Sequence, residues 1–189
     1  LNKLLTIVIP CKNESRTIDN TLTLLNSQKN IQGVRVIVAD SSDDGTTYQL
    51  ESRLNDEFDL IVVEGGLPAK ARNNGAKRVE TPYILFLDSD MFILDNNLLT
   101  DSIKFMVSRE VDLLTTKVRT TNGKYNYVFR MFDIIQRITK PISPFCLGGF
   151  MLVKTNKFNQ IGGFDENAMV AEDYLLSKQI KGSRFKILN

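Results

Sequence analysis

Residues rich in apolar side chains fall along this chain in short runs, separated by segments whose apolar residues recur at helical spacing. Leu4 to Ile9, Val34 to Ala39, Leu60 to Val63, Tyr83 to Leu87 and Val111 to Val118 read as strands, as do the end of the Pro144 to Val153 segment and Arg184 to Leu188. Pro10 is expected to end the first of them. Between them, Ile18, Leu22 and Leu25 lie at i, i+4 and i+7 behind the helix-starting residues Asn13, Glu14 and Ser15. Leu50 and Leu54 mark a second helix, Pro68 to Val79 a third, and Leu99, Ile103 and Met106 a fourth. The third carries Ala69, Ala71, Gly75 and Ala76, small residues that permit close packing, and Pro68 suits its first turn. Strands alternating with helices predict a mostly parallel sheet with right-handed crossovers.

Tyr83 to Leu87 is apolar without interruption, so it reads as a strand buried on both faces. Asp88 and Asp90 follow it. In an open α/β sheet, ligands bind in the crevice beyond the carboxyl ends of the strands, which is where this pair falls. With one residue between them on extended chain, both carboxylates project to one side and can serve one cation. Asp40 with Asp44, and Glu172 with Asp173, are placed the same way at a strand end or helix start. Read singly, each pair is also ordinary turn or first-turn chemistry.

From Tyr125 to Ile138 the pattern changes. Tyr127, Val128, Met131, Phe132, Ile134, Ile135 and Ile138 cover more than one face of a helix, with Arg130, Asp133 and Arg137 interleaved. Such a helix is buried, lies on a membrane surface or faces a partner, and burial is the expectation because core helices are the commoner case. Glycines at 148 and 149, entering a strand, predict a close approach of backbone to ligand or a bulge.

Composition narrows the chemistry. A chain of 189 residues with 42% hydrophobic and 24% charged residues suits one globular domain. A net charge of +2, with the basic residues scattered, gives no ground for a nucleic-acid partner. The two cysteines, Cys11 and Cys146, are far apart and fit free thiols in a reducing compartment. The chain has no histidine, which removes Ser-His and Cys-His catalysis and histidine metal sites. Carboxylates remain. Magnesium or manganese prefers oxygen ligands and is held by one or two carboxylates together with substrate phosphates, so the aspartate pair suits a metal-bound diphosphate. A separate carboxylate then serves as general base for an incoming hydroxyl.

In order along the chain stand Ile7-Val8-Ile9-Pro10-Cys11-Lys12-Asn13-Glu14, Val38-Ala39-Asp40-Ser41-Ser42-Asp43-Asp44-Gly45-Thr46, and Gly66 through Ala71-Arg72-Asn73. Asp88-Ser89-Asp90, Gly162-Gly163-Phe164-Asp165-Glu166 and Glu172-Asp173 follow. This series resembles family 2 glycosyltransferases of the GT-A fold over nearly the whole chain. The resemblance implies a single catalytic domain over residues 1–189, cut short at its carboxyl end, that transfers a sugar with inversion from a nucleotide-diphosphate donor. It implies a glycan or lipid-linked acceptor, Mn2+ or Mg2+ as cofactor, and a cytoplasmic site, with membrane association through a segment outside these residues. Carried over by position, Pro10 and Glu14 line the nucleotide pocket, Asp40 accepts from the base, and Arg72 approaches the diphosphate or steadies the Asp88 to Asp90 loop. Asp88 binds ribose or a metal-bound water, Asp90 ligates the metal, Gly148 and Gly149 leave room for the sugar, and Asp173 is the base with Glu172 beside it.

Some departures limit the carry-over. Ala39 stands where the family often has a first aspartate, so uridine is only weakly favoured over guanosine, and the Gln-x-x-Arg-Trp motif of processive members is missing. Arg72 also admits a plain reading as a surface salt bridge on a helix. A haloacid-dehalogenase phosphatase would carry its Asp-x-Asp after the first strand, and a dinucleotide-binding dehydrogenase would need Gly-x-Gly-x-x-Gly. The remaining alternative is a catalytically inactive sugar-nucleotide-binding module.

Overall fold

Tyr83–Leu87 (β4), buried along its whole length, is the middle strand of a seven-stranded sheet in the order β3-β2-β1-β4-β6-β5-β7. The computed structural model describes residues 1–53, 56–168 and 170–188. The other strands are Leu5–Cys11 (β1), Arg35–Asp40 (β2), Asp59–Glu64 (β3), Leu113–Thr116 (β5), Phe150–Lys154 (β6) and Phe185–Leu188 (β7). All pair in parallel except β6, which runs antiparallel to both β4 and β5. The sheet is therefore mostly parallel, as the alternation of elements predicts.

Strand residues alternate between two cores. Leu5, Ile7, Ile9, Leu85 and Leu87 face one layer with Ile18–Asn26 (α1), Thr46–Ser52 (α2) and Leu98–Arg109 (α4). Val8, Ile84 and Phe86 face the other with Pro68–Ala76 (α3), Thr155–Gln160 (α6) and Glu172–Ser177 (α7). Ile18, Leu22, Leu25 and Leu50 are buried as their spacing predicts, while Leu54 lies outside the described residues. The predicted close packing of α3 is real: a Cβ on Gly75 would come within 2.3 Å of Val8 Cγ1. Only a glycine lets the helix backbone sit this near β1.

Four expectations need correction. The first strand does not stop before Pro10; β1 continues through it to pair Cys11 with Asp40, whereas pairing with β4 ends at Val8 and Phe86. Helix α3 closes at Ala76 rather than Val79, and β5 is shorter at both ends than Val111 to Val118. The largest difference is the helix Asn126–Thr139 (α5). Gln136 is its one buried residue, and Tyr127, Met131, Ile134, Ile135 and Ile138 are exposed, so the helix is not a core helix. Its inner side rests instead on a ring contact between Phe132 and Phe145 and on a hydrogen bond from Gln136 Nε2 to the Phe145 carbonyl.

Chain order places the site. The chain goes outward from β1 to β2 and β3, then returns to the other side of β1 with β4. That reversal puts the topological switch point between β1 and β4, at their carboxyl ends. Asp88 to Asp90 leave β4 at that point.

Candidate active site

A cleft of about 400 Å³ opens at the switch point. Its walls are Pro10, Cys11, Lys12 and Glu14 from the exit of β1, Gly66, Leu67, Pro68 and Arg72 from the turn into α3, Asp88 to Asp90, and Glu172 at the start of α7. Six of the ten candidate residues, Pro10, Glu14, Arg72, Asp88, Asp90 and Glu172, thus line one cavity, and Gly148 lies against the Arg72 side chain.

The residue that joins them is Arg72. It is 4% exposed, and its guanidinium donates from Nη2 to Asp88 Oδ1 at 2.6 Å and from Nη1 to Glu172 Oε1 at 2.5 Å. Its carbon Cζ lies 5.4 Å from the centre of the Phe164 ring, which meets Phe86 edge-on at 4.9 Å between centroids. Burial rules out the reading of Arg72 as a surface salt bridge. A buried, forked cation shared by two carboxylates ties the end of β4 to the start of α7.

Asp90 differs from Asp88. It is exposed, and no cation pairs with it among the described residues. Partial loss of solvent, followed by repulsion from Asp88 and Glu14, raises its pKa above the ordinary carboxylate value. A neighbouring cation would relieve that crowding. Among the described residues no three His, Cys, Asp or Glu side chains form a ready-made metal cage. The loop itself is anchored, because Thr21 Oγ1 donates to the Ser89 carbonyl at 2.8 Å in a buried position.

Glu172 and Asp173 are adjacent but separately placed. Glu172 is held by Arg72, while Asp173 lies outside the cleft wall beside Gly148, where a Cβ would meet Arg72 Nη2 at 3.0 Å and Asp173 Oδ2 at 3.4 Å. Asp173 Oδ1 accepts from the Tyr174 amide at 2.7 Å, and the Gly148 amide also favours the carboxylate. Burial raises the Asp173 pKa, repulsion from Glu172 adds to that, and the Tyr174 amide and Arg72 oppose it. The room at Gly149 is taken by Met91, whose Sδ would lie 2.9 Å from a Cβ there.

Asp40 and Asp44 do not line the cleft. Asp40 Oδ1 accepts from the amide and hydroxyl of Ser42, at 3.1 and 2.5 Å, and its Oδ2 accepts from Thr47 Oγ1 at 2.5 Å. Asp44 accepts from the Ser15 amide and from Thr46, which stitches the loop after β2 to the loop after β1 and lowers its pKa to about 2, chiefly through the Thr46 hydroxyl. Burial pushes the Cys11 thiol up to about 12, with Asp40 adding to it, and Cys146 also moves up; both thiols are free and inert at neutral pH.

Two contributors had no role assigned from the sequence. Asn73, next to Arg72 on α3, accepts from the Phe164 amide at 3.0 Å and donates to the Phe164 carbonyl at 2.9 Å, so it clamps the turn that carries Phe164 beneath Arg72. Lys12 brings a cation to the cleft directly after β1. Its position at the carboxyl end of a strand was the available signal. A second groove of about 430 Å³ runs from Asp90 and Met91 past Phe92 to Thr116, Lys117 and Arg119. Asp90 lines both cavities.

The sequence profile of glycosyl transferase family 2 matches residues 6–162. The poly(ribitol-phosphate) beta-N-acetylglucosaminyltransferase TarS of Staphylococcus aureus is 27% identical over 97% of this chain and 34% of its own length. The poly-beta-1,6-N-acetyl-D-glucosamine synthase of Staphylococcus epidermidis is 25% identical over 92% of this chain and 44% of its own. The chain thus spans less than half the length of either relative. Among solved structures, S. aureus TarS 1-349 in complex with UDP-GlcNAc superposes with a TM-score of 0.74 at 25% identity, covering 98% of this chain and 56% of that one. The mannosyltransferase PcManGT of Pyrobaculum calidifontis, in complex with GDP-Man and Mn2+, gives a TM-score of 0.79 at 21% identity, covering 97% of this chain and 54% of that one, a likeness of fold.

Proposed function

The chain belongs to glycosyl transferase family 2 and has its GT-A α/β fold, and from that premise we propose that residues 1–189 form a catalytic domain that moves a sugar, with inversion, from a nucleotide-diphosphate donor to a hydroxyl of a glycan or lipid-linked saccharide. A UDP-sugar is the favoured donor. TarS and PcManGT, solved with UDP-GlcNAc and with GDP-Man, support a nucleotide-sugar donor. The observation that carries the reading is Asp90: an exposed carboxylate without a partner cation among the described residues, crowded by two others, on the wall shared by two cavities.

In this reading the donor lies in the cleft against Asp90, and the acceptor hydroxyl comes in on the Gly148 side, where Asp173 stands. Asp90 would hold Mn2+ or Mg2+, with Asp88, which Arg72 keeps in place, as the second carboxylate. The bound ion supplies charge to offset that developing on the departing diphosphate. Pro10 and Glu14 border the nucleotide. Asp40 accepts twice from Ser42 on Oδ1 and once from Thr47 on Oδ2, so Oδ2 keeps an acceptor site for the base. Arg72 fixes Asp88 and Glu172 relative to each other, and Glu172, so held, is a positioning residue rather than the base. Asp173 takes the acceptor proton, and burial, which raises its pKa, strengthens it as a base.

Hydrolysis and binding of a panel of UDP- and GDP-sugars, with and without Mn2+, test the proposal. Mn2+-dependent release of UDP from at least one donor is expected. Failure to bind any sugar nucleotide would overturn the reading, and binding without turnover toward any acceptor or water would identify an inactive sugar-nucleotide-binding module.

A further inference from the structure

The exposed face of α5 is apolar, the reverse of what a surface helix presents to water. Tyr127, Met131, Ile134, Ile135 and Ile138 fall within an arc of about 100° at 3.6 residues per turn, and Tyr127 and Ile138 are 70% and 71% exposed. Ile142, just beyond the helix, is 92% exposed. The opposite side is the anchored one, through Phe132, Gln136 and the pairing of Asp133 with Arg119. The exposed arc is therefore not a core face turned out by a loose helix.

Charge says what covers it. From residue 117 to 142 there are six Lys or Arg (Lys117, Arg119, Lys124, Arg130, Arg137 and Lys140) against one acid, Asp133, a net of +5. The whole chain carries +2, which leaves −3 on everything else. Arg130 and Arg137 lie on one edge of the apolar arc, and Lys124 with Tyr125 at its amino end, where the ammonium sits 5.4 Å from the ring centre. An apolar arc edged by cations and tyrosines matches a helix that lies in the plane of a bilayer surface bearing anionic lipid. A second copy of this chain would bring the same cations together, and a folded segment would have to neutralise them.

We propose that α5 docks the chain on an anionic lipid bilayer, with Met131, Ile135 and Ile138 entering the headgroup boundary and Arg130, Arg137 and Lys124 at the lipid phosphates. Lys117 and Arg119 line both the second groove and the basic pocket beside α5, so that groove borders the docked face. No helix among the described residues is long and apolar enough to cross a membrane, so the contact is interfacial. The inference does not depend on the transferase reading, because it concerns a different surface.

Co-sedimentation of the 189-residue chain with phosphatidylcholine vesicles, with and without about 30% phosphatidylglycerol, tests it. Partitioning at least ten-fold stronger on the anionic vesicles is expected, falling with added salt. Met131→Glu with Ile138→Glu should abolish it. Arg130→Gln with Arg137→Gln should weaken it about 25-fold, taking about five-fold per cation near the surface. Thermal melting of each variant checks that the fold is intact, and Tyr127→Ser serves as a milder change on the same arc. Equal or absent binding to the two vesicle types overturns the proposal, as does binding that survives Met131→Glu with Ile138→Glu. A dimer by light scattering that those substitutions dissolve, without vesicle binding, assigns the face to a second copy and overturns it too. Sugar-nucleotide binding, measured on the same preparations, separates this outcome from failure of the transferase reading.

Discussion

Removing the Arg72 guanidinium gives the most direct test of how the site is built. Arg72→Met keeps most of the side-chain volume and deletes both charge-assisted hydrogen bonds. Arg72 is 4% exposed, Glu172 15% and Asp88 33%, so the two carboxylates left behind are not equivalent. Glu172 loses its cation where water reaches it poorly, at a cost of roughly 2–3 kcal/mol, and Asp88 is screened by solvent and adds about 0.5–1 kcal/mol. The sum, about 3 kcal/mol, corresponds to a melting temperature lower by about 6–12 °C in a chain of this size. Neutralising both partners as well, in the triple variant Arg72→Met, Asp88→Asn, Glu172→Gln, removes the orphaned charges, and stability should return to within about 1 kcal/mol of the parent. Urea denaturation at pH 7 and 0.15 M salt, followed by circular dichroism with the slope checked for constancy, reads both variants. A triple variant no more stable than the single one would show that packing over Phe164, rather than charge pairing, gives Arg72 its weight.

Gly75→Ala should cost about 1–3 kcal/mol, because its methyl meets Val8 Cγ1 at 2.3 Å, and Val8→Ala should restore part of that in a melting experiment on the double variant. Asp90→Asn should raise the melting temperature at pH 7 without metal, since a carboxylate whose folded pKa is raised contributes stability below that pKa and loses it as pH rises through it. The same variant should lose the stabilisation that saturating Mn2+ gives the parent, which is about 2.7 kcal/mol at a hundred times the dissociation constant; an unchanged Mn2+ response would remove Asp90 as the metal ligand. Asp173→Asn should keep donor binding and lose transfer. In the parent, transfer should fall as pH is lowered through an acid limb above the ordinary aspartate value of about 3.9, because burial raises the Asp173 pKa. A limb at or below that value would argue against this base.

Local pattern carried most of the fold. The apolar run of β4, the alternation of strand and helix, and the small residues of α3 are visible in sequence because each depends on neighbours within a few residues. The reversal of β6 is not, since a five-residue buried strand reads the same in either direction. Helix α6 spans six residues, too few to show a period. For α5, apolar spacing reports that a helix has an apolar arc but not whether that arc faces in or out. Here a second, narrower set, Phe132 and Gln136, does the packing. The burial of Arg72 was likewise out of reach: one of its partners, Glu172, is 100 residues away, and the Phe164 ring over the guanidinium comes from another distant turn.

The two neighbouring carboxylates at the start of α7 show how the fold separates functions that the sequence places side by side. Successive residues of a helix point about 100° apart, so Glu172 and Asp173 cannot both face Arg72. Ala171, immediately before them, has φ of +61°, a left-handed conformation that costs an alanine about 1–2 kcal/mol. That turn stands immediately before α7, whose first residue, Glu172, is the one bonded to Arg72. Glu172 is captured and neutralised; Asp173 is turned toward Gly148, where burial, rather than a cation, dominates its protonation. The absence of a side chain at Gly148 leaves room for Arg72 Nη2 and Asp173 Oδ2, which a Cβ there would meet at 3.0 and 3.4 Å, so the Glu-Asp pair is divided into one carboxylate tethered to Arg72 and one held by backbone amides.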